Sequence, residues 1–184
     1  MSPSLQLHDV SSRPRFGCKG PGAPDWLAAH GYRVPESANT AVVDAGVFVA
    51  RLASSEFLVE AVQSGSERVA STRTQLLQRT QPAAVYPVAR QDLVVAISGA
   101  GLNTLLRQTC SVDFAPLLAS AASDGGAVVL TSIIGVGVVA WPQRTEAGAA
   151  VTLWSDPSYA HYFWSTLLEL GAGAGSVSIK GSDT

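Results

Sequence analysis

Leu93-Val94-Val95-Ala96-Ile97-Ser98-Gly99-Ala100-Gly101-Leu102-Asn103-Thr104-Leu105-Leu106 decides the fold, because it turns from a β-branched run straight into a helical pattern across two glycines. Leu102, Leu105, Leu106, Thr109 and Cys110 recur at helical spacing and predict one buried helix face over 102–110. A weaker copy stands earlier. Phe16-Gly17-Cys18-Lys19 reads as a short strand running into Gly20-Pro21-Gly22-Ala23-Pro24-Asp25-Trp26-Leu27, so Gly20 and Gly22 match Gly99 and Gly101, and Leu27 matches Leu106. Pro21 suits a first helical turn, and Ala23, Leu27 and His30 share a face.

The segments after the two helices are also alike. Ala41 to Val43 and Val47 to Leu52 predict a hairpin about Asp44-Ala45-Gly46, with Glu56 to Val62 as a third strand. The later set is Ala127 to Ile133, Val136 to Trp141 and Ala150 to Trp154. Each set leads to a helix: Glu67 to Thr80, with a thin stripe of Val69, Leu76 and Thr80, and Tyr159 to Leu170, with a full one. The predicted fold is α+β, two closely packed lobes of antiparallel sheet with helices, spanning 13–170 and dividing into about 13–83 and 90–170. Residues 1–12 show little pattern and 171–184 are rich in glycine and serine, which predicts flexible ends.

Gly125 to Gln143 carries no charge and is long enough to suggest a membrane span. Its β-branched residues, with Gly135 and Gly137 to make a turn and Pro142 to close the second strand, predict a buried hairpin instead. The first thirty residues show no basic start followed by an apolar run, so a cytoplasmic protein is expected. A net charge of −2 with scattered basic residues argues against nucleic acid. The charged fraction is only 14%, against about 25% in ordinary soluble domains, which points to a surface partly covered by another chain.

Few residues suggest chemistry. The glycine pairs do not make GxGxxG, and no GKS or GKT comes after them, so they read as close strand-to-helix packing rather than a phosphate loop. Cys18 and Cys110 belong to no CxxC or Cys/His pair and read as reduced core residues. His8, His30 and His161 fall near the start, at a helix end and on a polar helix side, and no GxSxG elbow is present. Asp25, Asp44, Asp92, Asp113, Asp124 and Asp156 lie at turns or element boundaries, where aspartate caps the backbone. No catalytic, cofactor-binding or metal-ligating residue is therefore assigned.

The order of Phe16-Gly17-Cys18-Lys19-Gly20-Pro21-Gly22-Ala23, Val49-Ala50-Arg51-Leu52, Glu56-Phe57-Leu58-Val59-Glu60, Ile97-Ser98-Gly99, Cys110-Ser111-Val112-Asp113-Phe114 and Leu153-Trp154 to Leu168 resembles the first two lobes of the aminomethyltransferase family. That family includes the glycine-cleavage enzyme and the folate-binding part of dimethylglycine and sarcosine oxidases. The resemblance implies an acidic pair in the first hairpin, whose aspartate works on the folate-linked amine; the matching positions here hold Ala45 and Gly46. The family's TGYTGExGFE segment, whose glutamate helps hold folate, would fall near Val139 to Thr152, where only Glu146 could substitute. A third, barrel-like lobe that closes the folate channel has no counterpart in the sequence.

These departures resemble the gamma subunits of heterotetrameric sarcosine oxidases. The implied function is a non-catalytic structural subunit in one-carbon metabolism, within a complex that demethylates sarcosine or another N-methyl amino acid and passes the one-carbon unit to tetrahydrofolate. The implied partners are alpha and beta subunits carrying FAD, FMN, NAD and tetrahydrofolate, and a delta subunit carrying zinc, with no cofactor in this chain. A free-standing folate-binding protein of the same superfamily is the alternative, and a small-molecule sensor a third reading. On the last helix, Ala160, Phe163, Trp164 and Leu167 are expected in the core, flanked by Leu168 and Leu170. Tyr162, His161, Ser165 and Glu169 share the outer side and form the candidate partner interface.

Overall fold

A computed structural model describes residues 5–78, 84–173 and 177–180. The chain folds as α+β in two compact units: Arg13–Arg90 with Asp124–Val128, and Met1–Ser12 with Gln91–Ser123 and Val129–Thr184. They are termed the first-repeat and second-repeat units. Among the described residues no helix is long and apolar enough to cross a membrane.

The first-repeat unit runs β2 (Arg15–Lys19), α1 (Ala23–Ala29), β3 (Thr40–Asp44), β4 (Val47–Ala53), β5 (Glu56–Ala61), α2 (Ser66–Gln78) and β6 (Tyr86–Val88), and it adds β8 (Gly125–Ala127). Its sheet has the order β6-β2-β5-β4-β3-β8, antiparallel throughout. Alternate residues of these strands face the helices: Phe16 and Cys18, Val47 and Val49, Phe57 and Val59 pack with Leu27 of α1 and with Val69 and Leu76 of α2. Thr72 completes the buried stripe of α2 and accepts a hydrogen bond from the Tyr32 hydroxyl at 2.8 Å. Thr80, placed on that stripe by the sequence, lies outside the described residues.

The second-repeat unit runs β1 (Leu5–Asp9), β7 (Leu93–Ser98), α3 (Leu102–Thr109), α4 (Ala115–Ala119), β9 (Val129–Ile133), β10 (Val136–Thr145), β11 (Gly148–Ser155), α5 (Ala160–Gly173) and β12 (Val177–Lys180). The sheet order is β12-β1-β7-β11-β10-β9, with only the β1–β12 pair parallel. Leu102, Leu105 and Leu106 of α3 and Phe163 and Leu167 of α5 bury against Val95, Ile97, Val138, Ala140, Val151 and Leu153.

Several expectations are corrected. Residues 5–12 are not a flexible end, since β1 pairs with β7 and its Leu5 and Leu7 are fully buried; residues 1–4 lie outside the described residues. Nor is the described part of 171–184: α5 continues to Gly173 and Val177–Lys180 pairs with β1, while residues 174–176 and 181–184 lie outside the described residues. Both strands are too short to show a pattern and gain their order from neighbours distant in sequence. The stretch Ala127 to Ile133 is not one strand, because Ala127 belongs to β8 on β3 while β9 begins at Val129. Pro142 does not close β10. The Arg144 amide, two residues on and directed the same way, leaves the β11 ladder to reach Ala122 O at 3.1 Å, so the missing N–H of Pro142 breaks no strand pairing. Helix α3 stops at Thr109, with Cys110 extended and only half-buried rather than in the core.

Candidate functional site

The two helix openings have the same backbone. Gly20 and Gly99 take φ of 117° and 111°, values open to glycine and strained for other residues. Gly22 and Gly101 then cap their helices at φ −84° and −79°. Ala23 N donates to Gly20 O at 2.9 Å and Leu102 N to Gly99 O at 3.1 Å. A Cβ at Gly20 would collide with Ala84 O, so this glycine serves close packing of backbone on backbone.

The first hairpin carries the positions where the resemblance expects acids. Ala45 and Gly46 form its two-residue turn with φ of 47° and 73°. Gly46 O accepts from Val62 N at 2.9 Å and from Gln63 N at 3.2 Å, which fastens the tip to the segment after β5. A Cβ at residue 46 would stand 2.7 Å from Ser64 Oγ and 2.8 Å from Ser64 N. A carboxylate side chain does not fit there while the tip keeps this seat. Glu146, the other acid the resemblance points to, is exposed at the β10–β11 turn.

A buried charge cluster lies elsewhere in the same unit. Arg15 and Glu60 face each other across β2 and β5, and Arg15 Nε donates to Glu60 Oε2 at 2.8 Å with the two side chains 4% and 0% exposed. Arg13 approaches Glu60 Oε1 at 3.8 Å from a partly exposed position. Burial pushes the Arg13 guanidinium below its usual range, while the Glu60 charge raises it and the Arg15 charge lowers it further. Sequence reasoning missed this cluster. Its signal was Glu60 inside the apolar run Phe57 to Val62, where a charge has to find a partner.

The predicted interface residues lie on α5. His161 and Glu169 are exposed, Ser165 is half-buried, and Tyr162 is 50% exposed. Phe163 and Leu167 are fully buried, whereas Ala160, Trp164, Leu168 and Leu170 are half-buried around them. The Tyr162 hydroxyl donates to Ile134 O at 3.1 Å, at the tip of the β9–β10 hairpin, and Ser165 Oγ donates to Tyr162 O at 3.2 Å.

The remaining candidates do not converge on a reaction. Burial pushes the Cys18 thiol up to about 12, which keeps it a neutral core residue. Cys110 borders an open cleft of about 380 Å³ with Arg107, Ser111, Val112, Asp113 and Ala115, and its sulfur accepts from Val112 N at 3.4 Å. Asp113 and Asp156 accept from Ala115 N at 3.1 Å and Ser158 N at 2.8 Å, so both cap turns. Those contacts with Ser158 hold the Asp156 carboxyl below its usual range. His30 stacks on Trp26 with ring centroids 4.1 Å apart. Among the described residues no three His, Cys, Asp or Glu side chains group as a metal site.

No family model and no curated protein matches the sequence. The structure is similar to the glycine cleavage system aminomethyltransferase T from Bartonella henselae, with a TM-score of 0.62 at 14% identity over 96% of this chain. The match covers 47% of that enzyme, so the chain spans about half its length. The likeness shows the fold alone: the two α+β units share the fold of part of that enzyme.

Proposed function

We propose that this chain is a non-catalytic structural subunit of a sarcosine-oxidase-type complex. In that reading the complex oxidatively demethylates sarcosine or another N-methyl amino acid and transfers the one-carbon unit to tetrahydrofolate. Alpha and beta subunits hold FAD, FMN, NAD and the folate site, and a delta subunit holds zinc. The observation that carries it is the first hairpin tip. Where an aminomethyltransferase would need acids, Ala45 and Gly46 stand, and the tip is seated so closely on Ser64 that no side chain fits at residue 46. The sparse charge of the chain and the exposed Tyr162 support the presence of partners.

The test is co-expression with alpha-, beta- and delta-type subunits, beside purification of the chain alone. The chain alone is expected to show neither a flavin spectrum nor turnover with sarcosine and tetrahydrofolate. The assembled complex is expected to retain it through size exclusion and to lose integrity without it. Turnover or bound flavin in the isolated chain sinks the non-catalytic reading. Tight tetrahydrofolate binding by the isolated chain, with no assembly, favours the free-standing folate-binding alternative.

A further inference from the structure

The two hairpins that come after the glycine-opened helices are counterparts, and one has a strand beside it that the other lacks. Asp44 and Val47 close the first turn, and Ile133 and Val136 close the second. Backbone direction alternates along a strand, so Ala41 and Val43 of β3 point away from β4, and Leu130 and Ser132 of β9 point away from β10. In β3 those outward groups meet β8. Val43 N donates to Asp124 O at 2.8 Å, Val128 N donates to Asn39 O at 2.8 Å, and Gly126 lies opposite Ala41. Counting back from each turn, Leu130 corresponds to Ala41 and Ser132 to Val43.

At β9 the same edge is the margin of the sheet. Among the described residues no backbone hydrogen bond joins Leu130 or Ser132 to anything beyond β10. The edge lacks the usual protections. Val129-Leu130-Thr131-Ser132-Ile133 holds no lysine, proline or other charge, and no charged residue occurs from Gly125 to Gln143. Leu130 is 53% exposed, and a Cβ added at Gly135 or Gly137 would meet nothing within 4 Å. The edge is also held in place. Ile134, a β-branched residue at φ 47°, donates through its N–H to Thr109 O at 3.0 Å and accepts from the Tyr162 hydroxyl at 3.1 Å. A β-branched residue in that conformation persists only where its surroundings fix it.

We propose that the outward edge of β9 accepts an antiparallel, uncharged strand of small residues from another polypeptide, as β3 accepts Gly125–Ala127. The chemistry of the occupant follows that of β8: Gly125 packs so closely on Ala41 O that a Cβ would collide, and no charge sits on the strand. One short strand buries far less than the roughly 1,000 Å² of a stable interface, so the edge is one contact within a larger assembly, whose existence rests on the proposed function.

The test has two arms. Without any partner, the full chain is titrated with the peptide acetyl-Thr-Gly-Gly-Ala-Val-amide at millimolar concentration and followed by amide resonances. The Leu130 and Ser132 signals shift in the wild type and not in Ser132→Pro, which removes an outward N–H and leaves the bonds to β10 intact. Absence of any shift there, or amides at Leu130 and Ser132 already protected from exchange in the free chain, overturns the proposal. In the co-expressed complex those two amides become protected, and Ser132→Pro weakens assembly about tenfold with an unchanged melting temperature. If Ser132→Pro misfolds, Leu130→Lys replaces it. Normal assembly of a folded variant overturns the edge proposal and leaves the proposed function standing, whereas failure of the wild type to assemble counts against the proposed function and leaves the peptide arm to decide this one.

Discussion

The hairpins β3–β4 and β9–β10 have nearly the same turn, Ala45-Gly46 at φ 47° and 73° and Ile134-Gly135 at φ 47° and 80°. Each leads through a third antiparallel strand to a helix. Their surroundings differ. The first tip is seated on Ser64 and Gly65 and its strand is flanked by β8, while the second tip meets nothing at Gly135 and its strand ends the sheet. Backbone geometry here is set by the two-residue turn and its positive φ values, which tolerate many neighbours. What a repeat can do depends on what occupies its edge and its tip, and those are the features that diverge.

The largest expected effects separate the two interiors. The first-repeat unit buries an ion pair, so Glu60→Gln, which keeps the shape and removes the charge beside Arg15, should cost about 3–5 kcal/mol. The second-repeat unit has an apolar centre, where Leu106, 1% exposed, should cost about 2–5 kcal/mol on truncation to alanine. Urea unfolding of both variants checks this. A loss within about 0.5 kcal/mol in either would show that the side chain is not held as described. Thermal scans sharpen the contrast: independent units give each variant its own lowered transition, and one cooperative body gives a single shared shift.

A middle-sized effect compares the tips themselves. Alanine at Gly46 or at Gly135 adopts a left-handed conformation that costs about 1–2 kcal/mol. Gly46→Ala also drives a methyl group into Ser64, and such crowding adds about 1–3 kcal/mol. Gly46→Ala is therefore expected to destabilise more than Gly135→Ala in denaturant unfolding. Equal losses would mean that the first tip moves freely off Ser64, and the contrast between the repeats would fail.

The parts legible in the sequence are those governed by local chemistry. Gly20, Gly22, Gly99 and Gly101 stand where strands turn into helices, and helical spacing identifies Leu105, Leu106, Phe163 and Leu167 as buried. The illegible parts are made by pairing at a distance. Leu5–Asp9 has only two apolar residues, and Gly125–Ala127 has the weakest strand preference possible, yet each is a strand because β7 or β3 supplies its hydrogen bonds. The same holds for the site. Ala45 and Gly46 are visible as departures from the acids that the resemblance implies, but Glu60 gains its meaning only from the register that sets it opposite Arg15. The open edge of β9 likewise needs the sheet order to be seen.

The smallest effect tests how the second tip is held. Tyr162, half exposed on α5, faces outward by the helical phase of the sequence, and its hydroxyl reaches Ile134 O in the same unit. Tyr162→Phe keeps the ring and removes that one hydrogen bond, so the expected loss is about 0.5–1.5 kcal/mol. The counterpart tip is held by Gly46 O accepting from Val62 N and Gln63 N, backbone bonds that Tyr162→Phe does not touch. Amide exchange therefore distinguishes the two. In Tyr162→Phe the Ile134 and Gly135 amides should exchange faster while those of Val62 and Gln63 stay as they were. Unchanged exchange at Ile134 would mean that the Thr109 carbonyl alone fixes the turn, and Tyr162 would then be left wholly available to a partner.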